Sequence, residues 1–108
     1  MTKLTDLEIS KKIAKITNLN FVDNSENVPN SILACGKGNW FIGVFRPIED
    51  EGMCWRFMIK FEIDLIKSED GIYTASFGNE IKDCVRDANP NKAVCLAIIK
   101  KHEANNNE

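Results

Sequence analysis

The sequence predicts an α+β fold: a single small domain in which two terminal helices and one middle helix pack on a mainly antiparallel sheet of about four or five strands. Three observations predict it. A capping box at Thr5 and Glu8 opens an amphipathic helix near the start of the chain. Asn89-Pro90 opens an apolar helix near its end. Between them, β-rich runs separated by turn residues read as hairpins over residues 32–45 and 63–77.

The first helix runs from Thr5 to Ile16. In a T-x-x-E box the threonine hydroxyl and the glutamate carboxylate each accept from the other's backbone N–H, which satisfies two otherwise orphaned donors. Leu4 and Ile9 sit where a hydrophobic staple would bracket that cap. Ile9, Ile13 and Ile16 form one apolar stripe, widened by Leu7 and Ala14. Glu8, Lys11, Lys12 and Lys15 fall on the opposite side, where a solvated face is the simplest reading.

Phe21 to Ser31 is the most loop-like region, with Asp, Asn, Ser and Pro29 and few apolar residues. Ile32–Cys35 is a short apolar run. Gly36-Lys37-Gly38-Asn39 turns it back into Trp40–Phe45. Pro47 and the acidic Glu49-Asp50-Glu51 end that strand. Glu69-Asp70-Gly71 joins Ile63–Lys67 to Ile72–Phe77 as a second hairpin. Gly78 to Ala88 is polar and reads as irregular, anchored by Ile81 and Val85. The last helix follows Asn89-Pro90. Ala93, Val94, Leu96, Ala97, Ile98 and Ile99 make it apolar over most of its circumference, as in a helix buried against a sheet. Lys100, Lys101 and His102 suit the negative end of its dipole. The domain is placed at residues 1–104, with 105–108 as a disordered polar tail.

Phe45 to Leu65 carries two periodicities. Trp55, Phe57, Ile59, Phe61, Ile63 and Leu65 alternate as in a strand, whereas Cys54, Phe57, Met58 and Phe61 are spaced as in a helix. Trp, Phe and Ile favour the strand. Asp50 as a cap, acids at the helix start, and a narrow polar edge of Glu49, Arg56 and Lys60 favour the helix. Gly52 counts modestly against it. A strand here would be about 13 residues, against a usual five or six. On the residues alone the two readings are even.

The opening Leu-Thr-Asp-Leu-Glu-Ile-x-x-x-Ile-Ala, from Leu4 to Ala14, resembles the start of the NinX-like family of small phage and prophage proteins. The same family has a central Phe-x-Pro, a polar or acidic run, a Trp with a short apolar segment, then Ile-x-Leu. Near its end come Asn-Pro-x-x-Ala and an apolar helix. The matching positions are Phe45, Pro47, Glu49 to Glu51, Trp55, Ile63, Leu65, Asn89, Pro90 and Ala93. The chain departs from the pattern at Arg56, where the family often has Pro. It departs again at Glu49 to Gly52, where the family often has Asn-rich polar residues, so it resembles a divergent member. The resemblance implies a helix across the Trp55 block to about Phe61, a strand from about Ile63, and phage origin. It implies no activity.

The totals narrow the function classes. At 108 residues, 44% hydrophobic and 28% charged, the chain has enough length to bury roughly two-thirds of its unfolded surface without a metal or disulfide. A net charge of −2 disfavours nucleic acid as a partner, because that affinity rests on Lys and Arg neutralising phosphates. The N-terminus lacks an apolar signal core, and no apolar run is long enough to span a bilayer. Cys35, Cys54, Cys84 and Cys95 are widely spaced, as reduced thiols are. The expected location is therefore the cytoplasm, which the family resemblance implies is that of a bacterial host.

Catalytic signatures are weak throughout. Gly36-Lys37-Gly38 lacks the spacing of a phosphate loop. His102 is the only histidine and lies near the C-terminus, so neither a metal site nor a Cys–His pair is expected. Cys54 and Cys95 read as core thiols; Cys84, beside Lys82 and Arg86, is the more reactive candidate. Glu62 and Asp64 read as the outer face of a strand. Residues 49 to 70 hold seven acids against three basic residues, a local acidic surface suited to a basic partner. Glu49, Asp50, Glu51, Trp55 and Arg56 are the candidate protein-binding residues. Trp40 reads as core more than as a binding anchor.

The expected function is a non-enzymatic, phage-encoded protein that binds a host or phage protein. Inhibition of a host or defence factor, such as a CRISPR complex, is its concrete form. No cofactor, metal or catalytic residue is expected. The alternative is an accessory factor of phage DNA metabolism touching nucleic acid through Lys11, Lys12, Lys15, Lys100 and Lys101. A small enzyme using Cys84 or a carboxylate pair is the third reading.

Overall fold

The structure is a computed structural model that describes residues 4–24, 26–29 and 31–106. The first residues of the chain and the last two of the expected tail, 107 and 108, lie outside the described residues. The α+β class is what the structure shows, with helices toward both termini and one in the middle. The chain condenses as two compact units, one ending at Arg46 and the other beginning at Pro47.

In the first unit, α1 spans Asp6–Ile16. Its capping box forms as the spacing requires: the Thr5 hydroxyl accepts from Glu8 N–H at 3.1 Å, and Glu8 Oε1 accepts from Thr5 N–H at 3.1 Å. Ile9, Ile13 and Ala14 are fully buried. Three antiparallel strands follow in the order β1 (Phe21–Asp23), β2 (Ile32–Ala34) and β3 (Gly43–Phe45). Register pairs Asp23 with Ile32 and Ile32 with Phe45. Ile32, Ala34 and Phe45 thus share one face and are themselves wholly buried, and α1 packs against β2.

The loop expected over 21–31 contains β1, because Phe21 and Val22 pair with Ala34 and Leu33 whatever their polar neighbours. The strand expected over Trp40–Phe45 forms only at Gly43–Phe45. Gly43 has φ 128°, a conformation that breaks the run before it. The rings of Trp40, Phe41 and Phe45 instead form an edge-on cluster, and Trp40 Nε1 donates to the Thr17 carbonyl at 3.1 Å.

In the second unit, a 3-10 turn at Pro47–Glu49 leads into α2, Glu51–Phe61. Asp50 caps α2, its Oδ1 accepting from Met53 N–H at 3.0 Å. Glu62 ends the helix in the left-handed region at φ 56°, and β4 (Asp64–Lys67) begins two residues later. The helix reading is therefore the right one. A residue in the left-handed region cannot lie within a continuous strand, so the alternation from Trp55 to Leu65 is coincidental across the junction. Glu62 is a helix cap and not the outer face of a strand.

Strands β4, β5 (Tyr73–Ser76) and β6 (Cys84–Asp87) form a second antiparallel sheet of three in sequence order. Among the described residues, the expected single sheet of four or five strands is six strands in two sheets. Strand β6 lies within the segment read as irregular. Cys84 to Asp87 gain a ladder from β5 that no local pattern announces. Ile81 is no anchor; it is 94% exposed on a short 3-10 turn, Ile81–Asp83.

Helix α3, Pro90–Asn106, packs on β5, β6 and α2. Asn89 caps it, its Oδ1 accepting from the N–H groups of Asn91 and Lys92 at 2.9 and 3.2 Å. Ala93, Val94, Cys95, Ala97, Ile98 and Ile99 are buried. The helix continues past Lys100, Lys101 and His102, which stand before its last turn, and through Asn105 of the expected tail. No helix among the described residues is long and apolar enough to cross a membrane.

Candidate protein-binding surface

The two faces of α2 have opposite fates. Met53, Cys54 and Phe57 point inward and are buried. The Cys54 thiol donates to the Pro47 carbonyl at 2.9 Å and also approaches the Asn91 carbonyl at 3.8 Å. Lys101 Nζ donates to the Phe61 carbonyl at 2.7 Å, so α3 holds the other end of the helix. These contacts set the helix rotation and leave Glu51, Gly52, Trp55, Arg56, Ile59 and Lys60 outward. Trp55 and Ile59, one turn apart, are 61% and 65% exposed. Isolated exposed apolar residues are ordinary; here an exposed tryptophan and an exposed isoleucine stand side by side and form an apolar ridge on one helix.

The acidic residues stand at the N-terminal end of this ridge. Asp50 is committed to the cap, so its carboxylate serves the helix as well as the surface. Glu49 and Glu51 line one side of an open groove of about 600 Å³, with Ile48, Ala88, Asn89, Pro90 and Asn91 as its other walls. Asn91 Nδ2 donates to the Ile48 carbonyl at 2.9 Å, which ties these walls together. The candidate set Glu49, Asp50, Glu51, Trp55 and Arg56 is therefore gathered at the start and outer face of one helix. Residue spacing missed Ile59, because in the strand reading it is equivalent to the buried Phe57.

The five lysines of the nucleic-acid alternative stand on two helices. On α1, Lys11 pairs with Asp23 at 3.1 Å, with both groups part-exposed. On α3, Lys100 Nζ donates to the Cys84 carbonyl at 3.3 Å, and Lys101 is held as described above. Lys12 and Lys15 belong to α1. Lys11 is thus paired with a carboxylate, while Lys100 and Lys101 keep their charge but donate to carbonyls within the chain.

Among the thiols, Cys35 is exposed and Cys84 half-buried, its Sγ near the Glu80 carbonyl at 3.5 Å. Cys54 and Cys95 are core residues, as their apolar neighbours predict. A hydrogen bond with the Cys54 thiol, reinforced by burial, pushes the Cys95 thiol well above its ordinary range. Among the described residues no group of three or more His, Cys, Asp or Glu side chains is placed to hold a metal ion.

A second apolar surface was invisible in the sequence. Register aligns Val22, Leu33 and Val44 across the outer face of the first sheet, with Val22 53% and Val44 42% exposed. Leu33 sits inside the continuous run Ile32–Ala34, so no alternation betrays which way it faces. Trp40, expected in the core, is 48% exposed; its ring packs on Phe45 while its edge reaches solvent. No family model, curated protein or solved structure matches this chain.

Proposed function

We propose that this chain is a non-enzymatic, phage-encoded protein that acts in the host cytoplasm by binding another protein. The observation that carries the reading is the exposure of Trp55 on a helix whose other face is locked into the core. Large, rigid aromatic side chains supply most of the binding energy at protein interfaces when they can be fully desolvated. The carboxylates of Glu49 and Glu51 beside the groove favour a partner that presents basic side chains there. A lysine or arginine would lay its apolar stem along Ile48 and Pro90 and its cationic head against those carboxylates.

A host or defence factor that binds nucleic acid, such as a CRISPR complex, carries basic surface of this kind, because its Lys and Arg side chains neutralise phosphates. Inhibition by occlusion is the action that fits a small rigid protein with such a ridge. Affinity capture from infected or lysogenic cells tests the reading. Wild-type chain is expected to recover one specific partner, and Glu49→Lys to lose it. Recovery of no specific partner at good expression would count against the proposal.

A further inference from the structure

We propose that the outer face of α2 pairs in parallel with α2 of a second copy of this chain. This rests on the reading of that face as a binding surface and names its occupant. Along α2 the outward residues fall into the register of a two-stranded coiled coil. Gly52 and Ile59 take the first core position, and Trp55 takes the second. Glu51 then lies on one flank of the seam and Arg56 on the other. Both are exposed.

The charges decide between occupants and orientations. In a parallel pair, each flank of one helix faces the opposite flank of the other, and the charged flanking positions meet five residues apart. Glu51 of each copy therefore meets Arg56 of the other, and the twofold axis makes the contact twice. In an antiparallel pair like flanks meet, and Arg56 would face Arg56 across the axis. The face thus complements itself in charge in one orientation only. Gly52 leaves room at the N-terminal end of the seam, where a Cβ would meet nothing closer than Asp50 Oδ1 at 3.6 Å. Trp55 of each copy lies against its twin and against Ile59, removing both from water.

The helix has 11 residues, so the seam is about 16 Å long and the dimer is concentration-dependent. The seam takes Glu51 from the edge of the groove and leaves Glu49 and the wall formed by Ala88 to Asn91 outside it.

Sedimentation equilibrium on the full chain, at concentrations up to about 1 mM, tests the pairing. Wild type is expected to approach the mass of two chains as concentration rises. Glu51→Arg and Arg56→Glu are each expected to weaken association at least about tenfold. The double variant E51R/R56E is expected to regain association to within about threefold of wild type. Ile59→Asp is expected to stay monomeric while keeping the wild-type circular dichroism spectrum. A wild type that stays monomeric, an Ile59→Asp variant that still dimerises, or a double variant no better than the singles would each overturn the pairing. A monomer that still captures a specific partner through Trp55 overturns the pairing and leaves the binding-surface reading intact; a monomer that captures nothing overturns both.

Discussion

The side-chain amide of Asn91, in the first turn of α3, donates a 2.9 Å hydrogen bond to the backbone carbonyl of Ile48, 43 residues earlier in the chain. With the Cys54 thiol on the neighbouring Pro47 carbonyl, it fixes the 3-10 turn that delivers Asp50 to the cap of α2. The direction in which Trp55 faces is therefore set in part by a residue on another helix. Asn91→Ala leaves the part-buried Ile48 carbonyl without that donor and is expected to cost about 1–2 kcal/mol. Urea denaturation followed by circular dichroism reads it. A loss below about 0.3 kcal/mol would remove the amide from this role.

The capping box at the start of α1 makes two separable predictions. Thr5→Ala removes the hydroxyl that accepts from Glu8 N–H and is expected to destabilise by about 1 kcal/mol.

The second prediction concerns pH. The Thr5 backbone N–H, and then its hydroxyl, hold the Glu8 carboxyl below its usual value of 4.5. A carboxyl depressed on folding contributes stability that is present above its unfolded value and lost as pH falls through the folded one. Wild type should therefore exceed Glu8→Gln in stability at neutral pH, with the gap closing below about 4.5. Urea melts across that range check the sign, and a gap that widens in acid would contradict the geometry.

Thiol accessibility follows burial. Iodoacetamide is expected to label Cys35 first, Cys84 more slowly, and Cys54 and Cys95 only on unfolding. Peptide mass spectrometry gives the order. Early labelling of Cys95 would mean that α2 and α3 separate readily, because its thiol is both buried and held protonated by Cys54.

The two tryptophans should separate cleanly. Trp55→Ala touches only the exposed ridge and is expected to change stability by less than about 0.5 kcal/mol. Trp40→Ala loses the Thr17 hydrogen bond and the edge contact with Phe45, and is expected to cost about 2 kcal/mol. Acrylamide should quench Trp55 emission more strongly than Trp40 emission in the corresponding single-tryptophan variants.

Much of the architecture was legible locally. The caps at Thr5, Asp50 and Asn89 each act within three residues, and each forms as its sequence requires. Both hairpins were readable, since Gly71 at φ 82° closes the second turn where Asp70-Gly71 signals it. Strand β6 was not readable. Cys84 to Asp87 show no apolar alternation, and only the ladder from β5 makes them a strand. The candidate surface was half legible: its acids and Trp55 stand out by type, whereas Ile59 needed the helix and its rotation to be known.

By itself the sequence determined the two terminal helices and their starting points, the two hairpins and the thiols that belong in the core, because short-range hydrogen bonding and hydrophobic period act within a few residues; over the middle helix two periodicities stood even. Only the tertiary structure decided that the strands form two sheets, that Trp55 and Ile59 face water, and that Lys11, Lys100 and Lys101 are engaged within the chain. Those outcomes depend on pairings between residues far apart in sequence. The free energy of such a pairing is a property of two segments at once, and neither segment carries it alone.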